Sequence, residues 1–253
     1  MTAVLSLGVA GALDHGVLRA LAPRVEQAGF HALWVNDTPD GDSLAALAAA
    51  AEATTSLVLA TGVIALPRRS GAQIAADVAA LALPEERLVL GVGSGQLRQG
   101  ALDAVRRGVE ELRERSAARI VVGALGPRMR ALGFQEADGA LLSWFTPEAA
   151  ARAGEGRPAG SASILYARAI AEPAARERLE REAARYASFP QYAAHFAREG
   201  IAPLDTVIDL AAAPGRLAGF AASVDELVLR AITPGDALEE FERFLGTPAV
   251  HPG

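Results

Sequence analysis

The feature that most constrains this chain is a repeated alternation of short apolar runs with helical stretches. The runs are Val4–Val9, Ala32–Val35, Leu57–Val63, Leu88–Val92, Ile120–Val122, Ala140–Leu142, Ser163–Ile170 and Val224–Ile232. Most are apolar throughout instead of alternating, as expected of strands covered on both faces. Helical segments separate them. Asp14 caps one running to Ala28, with Leu18, Leu21, Ala22 and Val25 on one face and Gly29 as its stop. Others span Ser43–Ala53, Ala72–Leu81 after Pro67, and Leu102–Arg115, and further starts lie at Pro127, at Thr146-Pro147-Glu148 and at Pro234. Strand-helix repeats of roughly 20 to 30 residues are βα units with parallel pairing. Eight such units in 253 residues favour a closed (β/α)8 TIM barrel over an open doubly wound sheet. No G-x-G-x-x-G follows the first strand, which argues against a dinucleotide-binding sheet. No composition shift marks a boundary, so residues 1–253 are read as a single domain.

Two departures from the regular repeat are expected. The connection from Gly95 to Arg119 is short. Between the seventh and eighth strands lies a helical excursion, with segments Pro173–Tyr186, Gln191–Glu199 and a third near Leu204–Ala212.

Composition removes several chemistries. There is no cysteine, which excludes disulfides and thiolate catalysis. All 24 basic residues are arginine, so no lysine Schiff base or lysine general base is available. The net charge of −6 and the lack of a basic patch argue against nucleic acid or an anionic membrane as partner. No apolar run reaches membrane-spanning length and no signal pattern opens the chain, so a cytoplasmic soluble enzyme is expected. No His, Asp and Glu cluster has metal-ligand spacing, so no metal is expected. His31 precedes its strand, on the stability face of a barrel. Surface positions are expected for His15, His195 and His251.

The stretch Ala118–Trp144 is a compact βαβ unit: an apolar run ending at Gly123, the Gly126-Pro127 turn, a helix, and a second run after Gly139. Pro127 suits the first helical position. Two readings fit these residues alone. One is a tight βα turn; the other is a phosphate seat made of free helix amides with Arg128 beside them. Gly93-Ser94-Gly95 lacks the G-x-S-x-G pattern and an acid–histidine partner, so a nucleophilic serine is not expected.

Several ordered motifs resemble the bacterial luciferase-like family of flavin- and deazaflavin-dependent oxidoreductases, most closely its methylene-tetrahydromethanopterin reductase-like branch. They are Glu26-Gln27-Ala28-Gly29-Phe30, Leu33-Trp34-Val35-Asn36-Asp37, Thr61-Gly62-Val63 with Arg68-Arg69, Arg87 through Gly95, Gly123 through Met129, Ala137-Asp138-Gly139, and Val224-Asp225-Glu226-Leu227. The resemblance covers nearly the whole chain. It implies a (β/α)8 barrel, in agreement with the strand count, and a cofactor, coenzyme F-420 or FMN, bound at the C-terminal face.

On that resemblance, Asn36 and Asp37 end the second strand at the cofactor, with Asp37 the candidate catalytic residue. Gly62 and Val63 match a non-proline cis peptide against which the tricyclic ring rests. Gly93, Ser94 and Gly95 lie near the ring and its ribityl chain. Gly123, Ala124, Gly126, Pro127 and Arg128 match the segment holding the cofactor phosphate. The chain departs from the family's sugar-phosphate dehydrogenases at Thr38, where they have a histidine, and at Gln96, where they have a glutamate. Residues alone leave Asp37 as either a site residue or a helix-capping carboxylate. Arg68 and Arg69 either hold an anion or are solvated charges, and Trp144 either walls the pocket or packs.

The function so implied is hydride transfer between the cofactor and a small organic substrate, with FMN-dependent monooxygenation as one alternative and a cofactor-binding homologue without turnover as another. The alanine-rich helices Ser43–Ala53 and Ala72–Ala82 suggest a homodimer face.

Overall fold

In the computed structural model, which describes residues 3–250, parallel strands close into a ring. β1 (Val4–Val9) pairs with β2 (Ala32–Val35), and β2 with β3 (Val58–Thr61). The ring continues through β4 (Ile64–Ala65), β5 (Leu88–Gly93), β6 (Arg119–Gly123), β7 (Gly139–Ser143) and β8 (Ala162–Ile170). A short β9 (Ile208–Asp209) extends β8, and β10 (Glu226–Ala231) pairs with both β8 and β1, which closes the barrel. Apart from the short β4 and β9, eight strands form the ring, as the sequence repeat predicts. The third strand is not continuous to Val63. It stops at Thr61, the Gly62–Val63 peptide is cis, and pairing to β5 resumes at Ile64.

The helices are α1 (His15–Gln27), α2 (Ser43–Ala51), α3 (Gly71–Ala80), α4 (Ala101–Arg113), α5 (Pro127–Glu136), α6 (Pro147–Gly154), α7 (Arg176–Ala187), α8 (Pro190–Glu199), α9 (Arg216–Ala222) and α10 (Leu238–Leu245). Caps explain several starts. Asp14 accepts from the amides of Gly16 and Val17, Asp42 from Leu44 and Ala45, Ser70 from Gln73, and Thr146 from Ala149. Gly29 ends α1 in the left-handed region at φ 78°. Among the described residues no helix is long and apolar enough to cross a membrane.

Two expected helices are corrected. Leu204–Ala212 is not helical: Pro203–Thr206 makes a 3-10 turn, and Ile208 then pairs with Ala169 as a strand. Asp209 accepts from the amides of Ala211 and Ala212, which turns the chain, and helix resumes only at Arg216. A free edge on β8 thus outweighs the alanine run's helix preference. The last helix begins at Leu238, not Pro234, because Glu240 reaches back to the amides of Gly235 and Ala237 and holds that segment as a turn.

The core has three parts. Inside the barrel, Trp34, Val89, Val121, Leu141, Ile164, Tyr166 and Val228 interdigitate. Between barrel and outer helices lies the large aliphatic layer. A third cluster joins Trp144, Ile170 and Ile232, which follow or end β7, β8 and β10, to Leu179, Ala183 and Phe196 of α7 and α8. The excursion therefore sits on the C-terminal mouth.

The Glu26 motif receives a structural explanation. Its Oε1 accepts from the amides of Thr55, Ser56 and Leu57 and from the Ser56 hydroxyl, pinning the loop that feeds β3. These bonds, the Ser56 amide foremost, hold the carboxyl at about 2, below its ordinary 4.5. A depressed carboxyl contributes stability that is complete above 4.5 and is lost as pH falls towards 2. Urea melts of Glu26→Gln should therefore show a shallower stability loss than wild type across that window. Identical slopes would mean the loop bonds carry no stability.

Candidate active site at the C-terminal mouth of the barrel

Strands β2 to β8 deliver their ends to one cavity of about 820 Å³. Asn36, at the end of β2, donates from Nδ2 to the Gly62 carbonyl at 2.5 Å, and its Oδ1 accepts from Tyr166 at 3.1 Å. Val63 projects between the ends of β5 and β6. A Cβ at Gly93 would lie 3.0 Å from Val63 Cγ2, and one at Gly123 would lie 3.0 Å from Val63 Cγ1. Glycine at both positions makes room for the Val63 side chain.

The β6–α5 turn faces the same space. Gly126 is the N-cap of α5, no side chain caps the helix, and Pro127 follows. The first-turn amides therefore lack side-chain partners, and a helix start of this kind attracts anions. Arg98, Arg128 and Arg198 line this side. Among the described residues, neither Arg98 nor Arg128 pairs with a carboxylate, whereas Arg198 bonds the Leu125 carbonyl at 2.7 Å and His195 Nδ1 at 2.9 Å.

The β8 wall is different. Ile164, Tyr166 and Arg168 point into the barrel at strand period two. Arg168 donates to Glu182 Oε1 at 3.0 Å and Ser143 Oγ at 2.7 Å, and its guanidinium lies 4.0 Å from the Trp144 ring centroid and 4.8 Å from that of Tyr186. Arg230 reaches the same Glu182 at 3.9 Å. Burial alone would raise the Glu182 pKa, but the Arg230 and Arg168 charges outweigh it and hold the carboxyl below its ordinary value. Burial raises the Tyr166 and Tyr192 hydroxyls, which stay protonated at neutral pH.

The cavity brings together Asn36, Gly62, Val63, Gly93, Ser94, Gly95, Gly123, Ala124, Gly126 and Arg128, together with Gln96. Pro127 and Asp37 do not line it. The Asp37 carboxylate is turned to the start of α2, accepting from the amide and hydroxyl of Ser43 and pairing with Arg68. Thr38 lies in the bridge to Gly41. Arg69 pairs with Asp42 and Asp77, tying α2 to α3. Trp144 packs fully buried beneath Arg168 with a left-handed φ of 62°.

His195 is not at the surface, contrary to expectation. It is fully buried, and its Nε2 bonds the Trp144 carbonyl at 2.7 Å. The helical pattern marked Phe196 as apolar but could not reveal that the neighbouring imidazole meets a carbonyl from another strand end. His15 is exposed, His31 precedes β2, and His251 lies outside the described residues. The sequence reading also missed Tyr166, Arg168, Tyr186 and Tyr192. For the first two a signal existed: polar residues two apart at the C-terminal end of a barrel strand.

A family model described as luciferase-like monooxygenase matches residues 5–100, and the (β/α)8 barrel has the same fold as the solved structures that follow. Among solved structures, an F-420-dependent secondary alcohol dehydrogenase in complex with an F-420–acetone adduct superposes with TM-score 0.76 at 15% identity, with 100% of each chain covered. The coenzyme F-420-dependent tetrahydromethanopterin reductase of Methanopyrus kandleri gives 0.66 at 12%, covering 99% of this chain and 98% of that one. The oxygenating constituent of 3,6-diketocamphane monooxygenase from Pseudomonas putida, in complex with FMN, gives 0.65 at 15%, covering 98% of each. No curated protein sequence matches the chain.

Burial is the largest influence on His195 and lowers its pKa, more than the Trp144 carbonyl raises it. The imidazole is therefore neutral near pH 7, and folding stability falls once pH drops below the 6.5 of a free imidazole. Imidazole NMR should report a pKa under 6.5 for His195; a higher value would contradict the buried neutral ring.

Proposed function

We propose that this chain is an oxidoreductase that transfers a hydride between coenzyme F-420 or FMN and a small organic substrate. The observation that carries the proposal is the convergence in one cavity of Val63, the Gly93–Gly95 strand end and the uncapped start of α5. The residues fit such a cofactor. Gly93 and Gly123 let the Val63 side chain seat closely against the strand ends at the cavity, and the cationic side at Arg98 and Arg128 suits a phosphate. The bound cofactor supplies the two-electron chemistry. The chain's own part is to hold the phosphate at Gly126 and Arg128, to back the ring with Val63 and Asn36, and to exclude water under α7 and α8. Asp37 positions the end of β2 through Ser43 and Arg68.

The two cofactors imply different reactions, because a deazaflavin has carbon in place of N5 and does not activate oxygen readily. Coenzyme F-420 is favoured by the Gly-Pro-Arg-Met turn and Thr61-Gly62-Val63; FMN would support monooxygenation. One observation favours a reading as a cofactor-binding homologue without turnover: among the described residues no Asp, Glu or His lines the cavity, and Gln96 stands at its edge. Sustained turnover with any acceptor would remove that second reading.

The Gly126 substitution tests the proposal cleanly. A Cβ there meets nothing within 4 Å, so Gly126→Asp should fold normally. Its carboxylate at the start of α5 should weaken cofactor binding by about 100-fold or more, as judged by fluorescence quenching. Unchanged binding would place the phosphate elsewhere.

A homodimer is part of the proposal. The outer face of α2 presents Ala45 and Ala49, and α3 presents Ala76 and Ala79, all small enough for close packing across a two-fold axis. Sedimentation should give a dimer that Ala76→Glu converts to monomer; a wild-type monomer at micromolar concentration would refute it.

A further inference from the structure

The β8 side of the cavity carries a charge that the cofactor reading does not use. Two guanidiniums, Arg168 at 3% exposure and Arg230 at 5%, share one carboxylate, Glu182. Glu226, at the opposite end of β10, is bonded by Ser6 at 2.6 Å and Trp34 at 2.7 Å and makes no ion pair with either arginine among the described residues. The cluster thus keeps a formal excess of one positive charge. Buried charges are ordinarily paired, so an excess facing a cavity calls for an anion from outside.

The geometry of Arg168 is already set for one. Its Nε is held by Glu182 and its Nη1 by Ser143, while Trp144 and Tyr186 flank the guanidinium. Its Nη2 has no acceptor among the described residues, and Arg168 lines the cavity. The Tyr186 and Tyr192 side chains line the same wall, and neither hydroxyl bonds a described residue. Free guanidinium and phenol donors beside aromatic faces make an oxyanion pocket.

We propose that this wall is the substrate's carboxylate-binding subsite, so that the enzyme acts on an organic carboxylic acid, its carboxylate held by Arg168 Nη2 and a tyrosine hydroxyl. This rests on the reading of the β5–β6 side as the cofactor seat. Calorimetry with benzoate and its neutral isostere benzamide tests it, with and without saturating cofactor. Benzoate should bind about tenfold or more tightly than benzamide. Arg168→Gln should abolish that preference while leaving benzamide unchanged. Glu182→Gln, which frees charge in the same cluster, should tighten benzoate several-fold, the opposite of what structural damage would do. Equal affinities for the two probes, or a preference that survives Arg168→Gln in a protein of normal melting temperature, would overturn the proposal. So would mutual exclusion of benzoate and cofactor, since the cluster would then belong to the cofactor. A benzoate preference in a protein that binds neither F-420 nor FMN would support the subsite and defeat only the cofactor reading.

Discussion

Everything in this molecule depends on β10 bonding on both sides. Its ladder to β8 runs from Glu226 to Ala231, and its ladder to β1 from Glu226 to Arg230. Every residue of β10 is buried, so without ladders on both sides its amides and carbonyls would be left unpaired. Closure also brings distant residues together. Ser6 and Trp34 meet Glu226 only because the first, second and last ring strands are neighbours. Near the other end of β10, Arg230 meets Asn36 and Glu182. The same closure that protects the backbone therefore assembles the polar layers inside the barrel.

Arginine as the sole basic residue shapes the site. A guanidinium can be buried because it stacks on rings and spreads its donors over several acceptors, whereas an ammonium holds its hydration more tightly. Arg168 illustrates this, with bonds to Glu182 and Ser143 and aromatic faces beside it. Arg87 does the same away from the site, donating to the carbonyls of Ala51, Thr54 and Leu57 and so finishing α2.

What could be read from the sequence was whatever depends on local pattern. Strand runs such as Leu88–Val92, the Asp14 cap and the Gly126-Pro127 helix start are all local, and all lie where expected. The glycine-bearing strand ends were legible too, and they meet in one cavity. What was not legible depends on partners far along the chain. Asp37 could not be assigned without knowing that Ser43 and Arg68 would reach it. His195 looked like a surface residue until the Trp144 carbonyl stood against it. Ile208 looked helical because the free edge of β8 is invisible in its own neighbourhood.

The Leu125 carbonyl shows how the two sides of the cavity are coupled. It accepts from Arg130 at 2.9 Å and from Arg198 at 2.7 Å, so α5 and α8 converge on the turn that opens at Gly123. Arg198 also bonds His195, whose other nitrogen holds Trp144, and Trp144 underlies Arg168. A continuous chain of contacts thus runs from the uncapped start of α5 to the cationic wall on β8. A neutral His195 can accept at Nδ1 from Arg198 and donate at Nε2 to the carbonyl at once, which an imidazolium cannot do. Burial, by keeping that ring neutral, is what lets the chain remain unbroken.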